Sequence, residues 1–227
     1  MKLRLDCLVF MLFLLLTACS NTDLDSGLFS GKPCKAPCWQ NLTPSQSTAD
    51  DVDQFINRLS TASWPGRKSI VETPNCKLMQ ITDKIGAAAN AIATFNIENG
   101  ILSFIQSTPA NSTDLEEIID HLGPPEYFEA VIAIGPDGKN YIVEVYYPSQ
   151  GLAFIVDPSI ADVGYIKPYM NVLTIQYFAP GSLLSYFTVR KSCFMSQADA
   201  AMRAQSEISI YVQPWSGFGA VKVVTSR

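Results

Sequence analysis

Residues 108–125 read TPANSTDLEEIIDHLGPP, and this stretch, set beside residues 43–59, TPSQSTADDVDQFINRL, decides the fold. The turns TPSQST (43–48) and TPANST (108–113) stand 65 residues apart and each precedes an amphipathic segment. In the first segment Val52, Phe55, Ile56 and Leu59 fall at i, i+3, i+4 and i+7, and in the second Leu115, Ile118, Ile119 and Leu122 do the same. That spacing gathers the apolar side chains on one face of a helix, turned toward a core. Thr48 with Asp51, and Thr113 with Glu116, pair a capping hydroxyl with an acid one turn on. The second helix is expected to end at Gly123, because Pro124 and Pro125 forbid its continuation.

Strands are expected after each helix. Asn99-Gly100 is a strong two-residue hairpin signal between Ile92–Ile97 and Ile101–Ile105. It should set Phe95 and Ile97 against Phe104 and Leu102. Leu78–Thr82 is a further short strand. In the second unit Ala130–Ile134 and Tyr141–Tyr147 flank GPDGKN, and Pro148-Ser149-Gln150-Gly151 turns into Leu152–Val156. Val172–Phe178 alternates well, Pro180-Gly181 turns, and Leu183–Phe187 reads as another strand. Hairpin-linked strands with helices grouped against them predict an α+β fold. The expected organisation is two tandem helix-plus-antiparallel-sheet repeats, residues 34–107 and 108–190. A C-terminal extension, 191–227, follows: a helix from Gln197 to Gln205 capped by Ser196, then strands Glu207–Val212 and Ala220–Val224 around PWSGFG.

The N-terminus reads MKLRLDCLVFMLFLLLTACS. Lys2 and Arg4 precede ten unbroken apolar residues, Cys7–Leu16, and small residues follow, the order of a secretory signal. The run is too short for a bilayer span, which takes roughly twenty. Leu16-Thr17-Ala18-Cys19 resembles the bacterial lipobox, in which the signal is cut before a cysteine that carries diacylglycerol. The resemblance implies a signal over residues 1–18 and lipid attachment at Cys19. Acyl chains there would anchor the protein to a bilayer, on the extracytoplasmic face of a cell membrane or envelope. Residues 19–33 are polar and glycine-bearing and read as a lipidated tether.

Two of the 16 basic and one of the 21 acidic residues lie in the first 18, which leaves 14 basic against 20 acidic side chains, a charge of −6. An acidic chain with no basic stripe argues against nucleic acid as a partner. With 48% hydrophobic and 16% charged residues the composition is that of a packed globule.

Beyond Cys7 and Cys19, four cysteines remain, and an even number in an exported chain reads as a disulfide set. Three connectivities are open for Cys34, Cys38, Cys76 and Cys193. Cys34–Cys38 with Cys76–Cys193 is preferred, because the first pair closes the tight, proline-stiffened loop GKPCKAPCW. Metal binding would call for CxxC spacing with further cysteine or histidine nearby, and His121 is the only histidine. Neither a metal nor another cofactor is expected.

No catalytic motif stands out. His121 lies near a helix C-terminus, where partial positive charge suits the dipole. Asp50-Asp51 and Glu116-Glu117 occupy first helical turns, where acids cap rather than catalyse. The loops GxxxxGK[ST], GxGxxG after a strand, GxSxG and HExxH are missing. Aromatics are dense in the second half. Strand alternation puts Tyr141, Val143, Val145 and Tyr147 on one side and Ile142, Glu144 and Tyr146 on the other. If exposed, Tyr141, Tyr146 and Tyr147 would form a binding face. Trp39, Trp64 and Trp215 adjoin cysteine or proline and read as plugs at loop junctions.

The TPxxST turn, the helix ending LGPP and the following strands resemble two groups: the small outer-membrane lipoprotein A family and beta-lactamase inhibitor protein. Ser112-Thr113, Leu115, Ile118, Ile119, Leu122 and Gly123-Pro124-Pro125 carry the likeness, and the first repeat lacks the LGPP ending. Uncharacterised bacterial lipoproteins with a PCxxPCW start and a YYPxQG turn are also similar, through Pro33-Cys34, Pro37-Cys38-Trp39 and Tyr146–Gly151. These likenesses span about residues 33–187. They imply a tandem-repeat fold with a concave sheet face that binds another protein. The tether, the repeat and the missing catalytic apparatus point to a membrane-anchored protein-interaction or envelope-assembly module whose partner is an envelope or secreted protein. Two alternatives stand beside it: an enzyme acting on envelope polymers through Glu126, Glu129 and Glu144, and a solute-binding lipoprotein, for which repeated antiparallel hairpins fit poorly.

Overall fold

A computed structural model describes residues 28–61, 67–82, 91–109, 112–135, 138–157 and 163–226. Cys19, the signal, the start of the tether and Trp64 lie outside them. Helix α1 (Ala49–Thr61) opens with a reciprocal cap: the Thr48 amide donates to the Asp51 carboxylate at 2.8 Å, and the Asp51 amide to the Thr48 hydroxyl at 3.3 Å. Four strands follow: β1 (Arg67–Glu72), β2 (Lys77–Thr82), β3 (Ala91–Glu98) and β4 (Ile101–Ser107). Helix α2 (Leu115–Leu122) is capped by Asp114, which accepts from the Glu117 amide, and not by Thr113, whose carbonyl instead takes the Val172 amide. It ends at Gly123 as expected, at φ 82°.

Next come β5 (Tyr127–Gly135), β6 (Gly138–Tyr147), a 3-10 turn (Pro148–Gln150), β7 (Leu152–Asp157), β8 (Tyr165–Ile166) and β9 (Asn171–Phe178). The 3-10 turn closes through Gly151 at φ 70°, where a Cβ would stand 2.3 Å from the Phe178 carbonyl oxygen. Helices α3 (Leu183–Ser192) and α4 (Gln197–Tyr211) and short strands β10 (Val212–Pro214), β11 (Gly219–Ala220) and β12 (Val224–Ser226) complete the chain.

The fold is α+β around one large, mostly antiparallel sheet with the order β1-β2-β3-β4-β9-β7-β6-β5-β10. Two meanders meet at β4 and β9, where Phe104 lies opposite Phe178. Beyond β5, the chain's own tail closes the margin: β10 pairs antiparallel with Tyr127–Glu129 and β12 parallel with Val131–Ala133. A two-stranded ribbon, β11-β8, stands apart. One sheet face carries the main core, with Met79, Phe95, Ile105, Val145, Phe154 and Tyr177 packed under α1 and α2. The opposite face holds a second cluster, Phe104, Tyr146, Ala153 and Phe178 with Tyr186 and Phe187 of α3 and Ala204 of α4.

Several expectations need correction. Leu183–Phe187 is helix, not strand: Ser182 caps it, accepting from the Ser185 amide at 3.2 Å, and Tyr186, Phe187 and Arg190 then share one face. α4 runs on to Tyr211 where a strand was expected from Glu207. Ala200, Ala204 and Ile208 recur every fourth residue along its packed side, and Lys191 pairs with Glu207 at 2.7 Å. The division placed between residues 190 and 191 falls inside α3. Strand β1 was not foreseen, and the strand expected over Ala220–Val224 is split between β11 and β12. The Asn99-Gly100 hairpin forms with both residues at positive φ and sets Ile97 opposite Leu102 as expected, but a register shift at Asn96/Ile97 sets Phe95 opposite Ile105 and Asn96 opposite Phe104. Leu28 is buried in the core and Phe29 packs on His121, so the chain is docked before residue 33. Trp39 is a core side chain against Phe55 and Phe95, not a loop plug.

Candidate functional site

The second sheet face divides into a covered half and an open half. α3 and α4 form a helical hairpin over the covered half. Its tip is fastened by the Cys76–Cys193 disulfide, by the Thr73 hydroxyl donating to the Cys193 carbonyl at 2.7 Å, and by Asn75 Nδ2 donating to the Met195 carbonyl at 2.8 Å. The other disulfide joins Cys34 and Cys38. Both pairs are the preferred connectivity.

Under this hairpin lies a polar cluster. Gly135 stands opposite Gly138, and counting back along the β5-β6 ladder sets Glu129 directly opposite Glu144. Arg190 on α3 donates to Glu144 Oε2 at 2.9 Å and to the Tyr186 hydroxyl at 3.1 Å. The Tyr186 oxygen lies within hydrogen-bond reach of both Glu144 Oε1 and Gln176 Oε1. A hydroxyl has one proton, so it satisfies one acceptor. Turning the Gln176 amide over lets its otherwise unpartnered Nε2 donate to Tyr186, while Tyr186 donates to Glu144. Burial pushes the Glu129 carboxyl up to about 7, the Glu144 charge adds to this, and Arg190 opposes it. Glu144 holds the Arg190 guanidinium well above its ordinary range. Burial raises the Tyr146 and Tyr186 phenols, and the Tyr146 hydroxyl has no hydrogen-bond partner of ordinary geometry among the described residues.

The three aromatics read as a binding face are therefore core. Tyr146 is 0%, Tyr147 1% and Tyr141 8% exposed. Tyr141 and Tyr147 sit in the main core, where Tyr147 donates to the Gly123 carbonyl at 2.8 Å. Tyr146 faces the other way, as its alternation requires, but α3 covers it, with Tyr186 at 5.5 Å and Phe187 at 5.6 Å between ring centroids. Of the three acids considered for catalysis, Glu129 and Glu144 meet. Glu126 does not join them: its carboxylate accepts from the Ser149 amide at 2.9 Å at the 3-10 turn. Surface depressions of 230 to 360 Å³ occur at the β1-β2 turn and beside α1, and neither Glu129 nor Glu144 lines them. His121 is exposed in the last turn of α2, its Nδ1 2.9 Å from the Glu117 carbonyl. Among the described residues no cluster of three metal-ligating side chains occurs, and no helix is long and apolar enough to cross a membrane.

On the open half, one row of the sheet runs Gln80, Thr94, Gln106 across β2, β3 and β4, with Thr174 one row along on β9. All four are half-buried, and Gln80 Nε2 reaches the Thr94 hydroxyl at 3.5 Å. The row is neutral and rich in amide and hydroxyl groups, in the middle of a sheet whose other face is closed by the core. None of the four carries a sequence signal as strong as that of the tyrosines. Their outward parity beside Phe95 and Ile105 was the available signal.

No family model matches the chain, and no curated protein matches it. Among solved structures it is similar to the uncharacterized protein yfeY from Escherichia coli, at 14% identity, over 61% of this chain and 93% of that one, with a TM-score of 0.34.

Proposed function

We propose that the chain is a lipid-anchored, extracytoplasmic interaction module that grips an envelope or secreted protein on the open half of its sheet. The carrying observation is the half-buried row Gln80, Thr94, Gln106 with Thr174, held in mid-sheet beside the half that the α3–α4 hairpin covers. Amide and hydroxyl groups left partly wet in mid-sheet suit a polar partner surface, to which they bond without the cost of burying charge. Residues 1–18 act as the export signal, Cys19 carries the acyl chains and residues 20–27 serve as the tether. The two disulfides suit that compartment. Residues 34–107 and 108–190 act as two repeats. The supporting order is a helix followed by antiparallel strands in each, with the last strands, β4 and β9, joined at the centre. The α3–α4 hairpin restricts the binding face to the half it leaves open.

The test is affinity capture with the full chain, oxidised, against solubilised cell envelope, alongside a Gln80→Arg/Gln106→Arg variant. One protein recovered in near-stoichiometric amount, and lost with the variant, is the expected outcome. Recovery that is indifferent to the substitutions sinks this face. Mass spectrometry of the mature N-terminus checks the anchor: an acylated Cys19 is expected, and an intact or unacylated terminus contradicts it.

A further inference from the structure

The two margins of the sheet are treated differently. β5 is covered by β10 and β12, whereas β1 has β2 on one side and, among the described residues, no strand on the other. All six β1 residues are exposed, Ile70 at 45% and Val71 at 56%. The β1-β2 turn fixes which backbone groups are already used. The Thr73 amide donates to the Cys76 carbonyl at 2.8 Å, so that pair is hydrogen-bonded, and bonding alternates along the ladder from there. Arg67, Ser69 and Val71 therefore bond inward to β2. Lys68, Ile70 and Glu72 turn their N–H and C=O groups outward, a template with no strand paired to it among the described residues.

We propose that β1 is a homodimerisation edge, pairing antiparallel with β1 of a second copy about a two-fold axis that passes midway between the two Ile70 residues. A two-fold perpendicular to the sheet keeps corresponding faces on the same side, so opposed residues must share parity. The register centred on Ile70 sets Ile70 against Ile70, and Lys68 against Glu72, twice. The three outward-facing residues of each copy then meet one another, and every donor finds an acceptor: six hydrogen bonds from three residues per strand. Charge alternates across the seam, since Lys77 lies opposite Glu72 within one copy and Glu72 faces Lys68 of the next. Lys68 also bonds Asp53 of its own α1, which fixes its ammonium on that face of the sheet. The neighbouring register, centred on Ser69, would set Lys68 against Ile70 and lose both ion pairs. The contact is isologous and closes at two copies.

The experiment measures the mass of the full chain in detergent by size-exclusion chromatography with light scattering over a range of protein concentrations, with the detergent contribution subtracted. A monomer–dimer equilibrium is expected. Glu72→Lys opposes lysines at both ends of the seam and should weaken the dimer roughly tenfold. Ile70→Pro removes an outward N–H without touching the ladder to β2 and should abolish it. Thermal melting confirms that each variant is folded, and should Ile70→Pro fail to fold, Glu72→Lys decides. A wild type that stays monomeric, a series of larger oligomers, or a dimer indifferent to the substitutions would overturn the proposal.

Discussion

Replacing Glu129 with glutamine should stabilise the protein, and increasingly so as pH rises. In the folded chain this carboxyl is pushed up to about 7, against an ordinary value of 4.5, chiefly because the half-buried side chain is withdrawn from water and secondly because Glu144 faces it across the ladder. A raised carboxyl pKa means that the native state holds a proton which the unfolded chain releases. Stability from this group is complete below pH 4.5 and falls as pH climbs through about 7. The difference of some two and a half pKa units, at 1.36 kcal/mol each, is worth about 3 kcal/mol by pH 8. Glutamine keeps the shape and never ionises, so it escapes that loss. For a chain of this size the gain corresponds to roughly 6–12 °C in Tm. Thermal and urea unfolding of the oxidised wild type and Glu129→Gln, compared at pH 5 and pH 8, measures it. The two proteins should be close at pH 5 and well separated at pH 8. Asp51 and Asp53 contribute the opposite slope, but their pKa values are lowered from 3.8 and their window lies below pH 5. Parallel curves between pH 5 and 8 would refute the buried-proton reasoning.

Arg190→Met should cost about 3–5 kcal/mol, because it strands the Glu144 charge under α3 without its partner, read in denaturant melts at pH 8. Removing the Cys76–Cys193 bridge as the Cys76→Ser/Cys193→Ser pair frees a loop with a sequence separation of 117 and should cost up to about 5 kcal/mol; Cys34–Cys38, separated by 4, should cost about 2, read as Tm shifts of the two double variants. Gly151→Ala should lose about 2 kcal/mol or more, since φ is positive there and its Cβ would strike the Phe178 carbonyl, whereas Gly217→Ala, in open space at φ 91°, should lose only the backbone strain.

Local signals carried much of the fold. The cap at Thr48-Asp51, the stop at Gly123 and the Asn99-Gly100 turn each depend on a few neighbouring residues, and each forms. The failures are tertiary. The segment LLSYFTVRK is rich in residues that favour strands, but Tyr186 and Phe187 reach Tyr146 and Phe178 only from a helix lying across the sheet. Alternation put Tyr146 and Glu144 on the same side correctly. Whether that side faced water depended on a helix about forty residues downstream, which no property of β6 reveals. The pairing of Glu129 with Glu144 was within reach, because the link between Gly135 and Gly138 sets the register for the whole ladder. The open row is harder to read from sequence, because a glutamine or threonine at an outward position looks the same whether it ends half-buried or fully exposed.

The most direct measurement is site-specific photo-cross-linking in intact cells, with a photoreactive residue placed at Gln106, at Thr94, or at Gln205 on the exposed side of α4. Adducts to one protein from Gln106 and Thr94, with none from Gln205, are the predicted result. Adducts from Gln205 alone, or none from the sheet row, would contradict a binding face on the open half of the sheet.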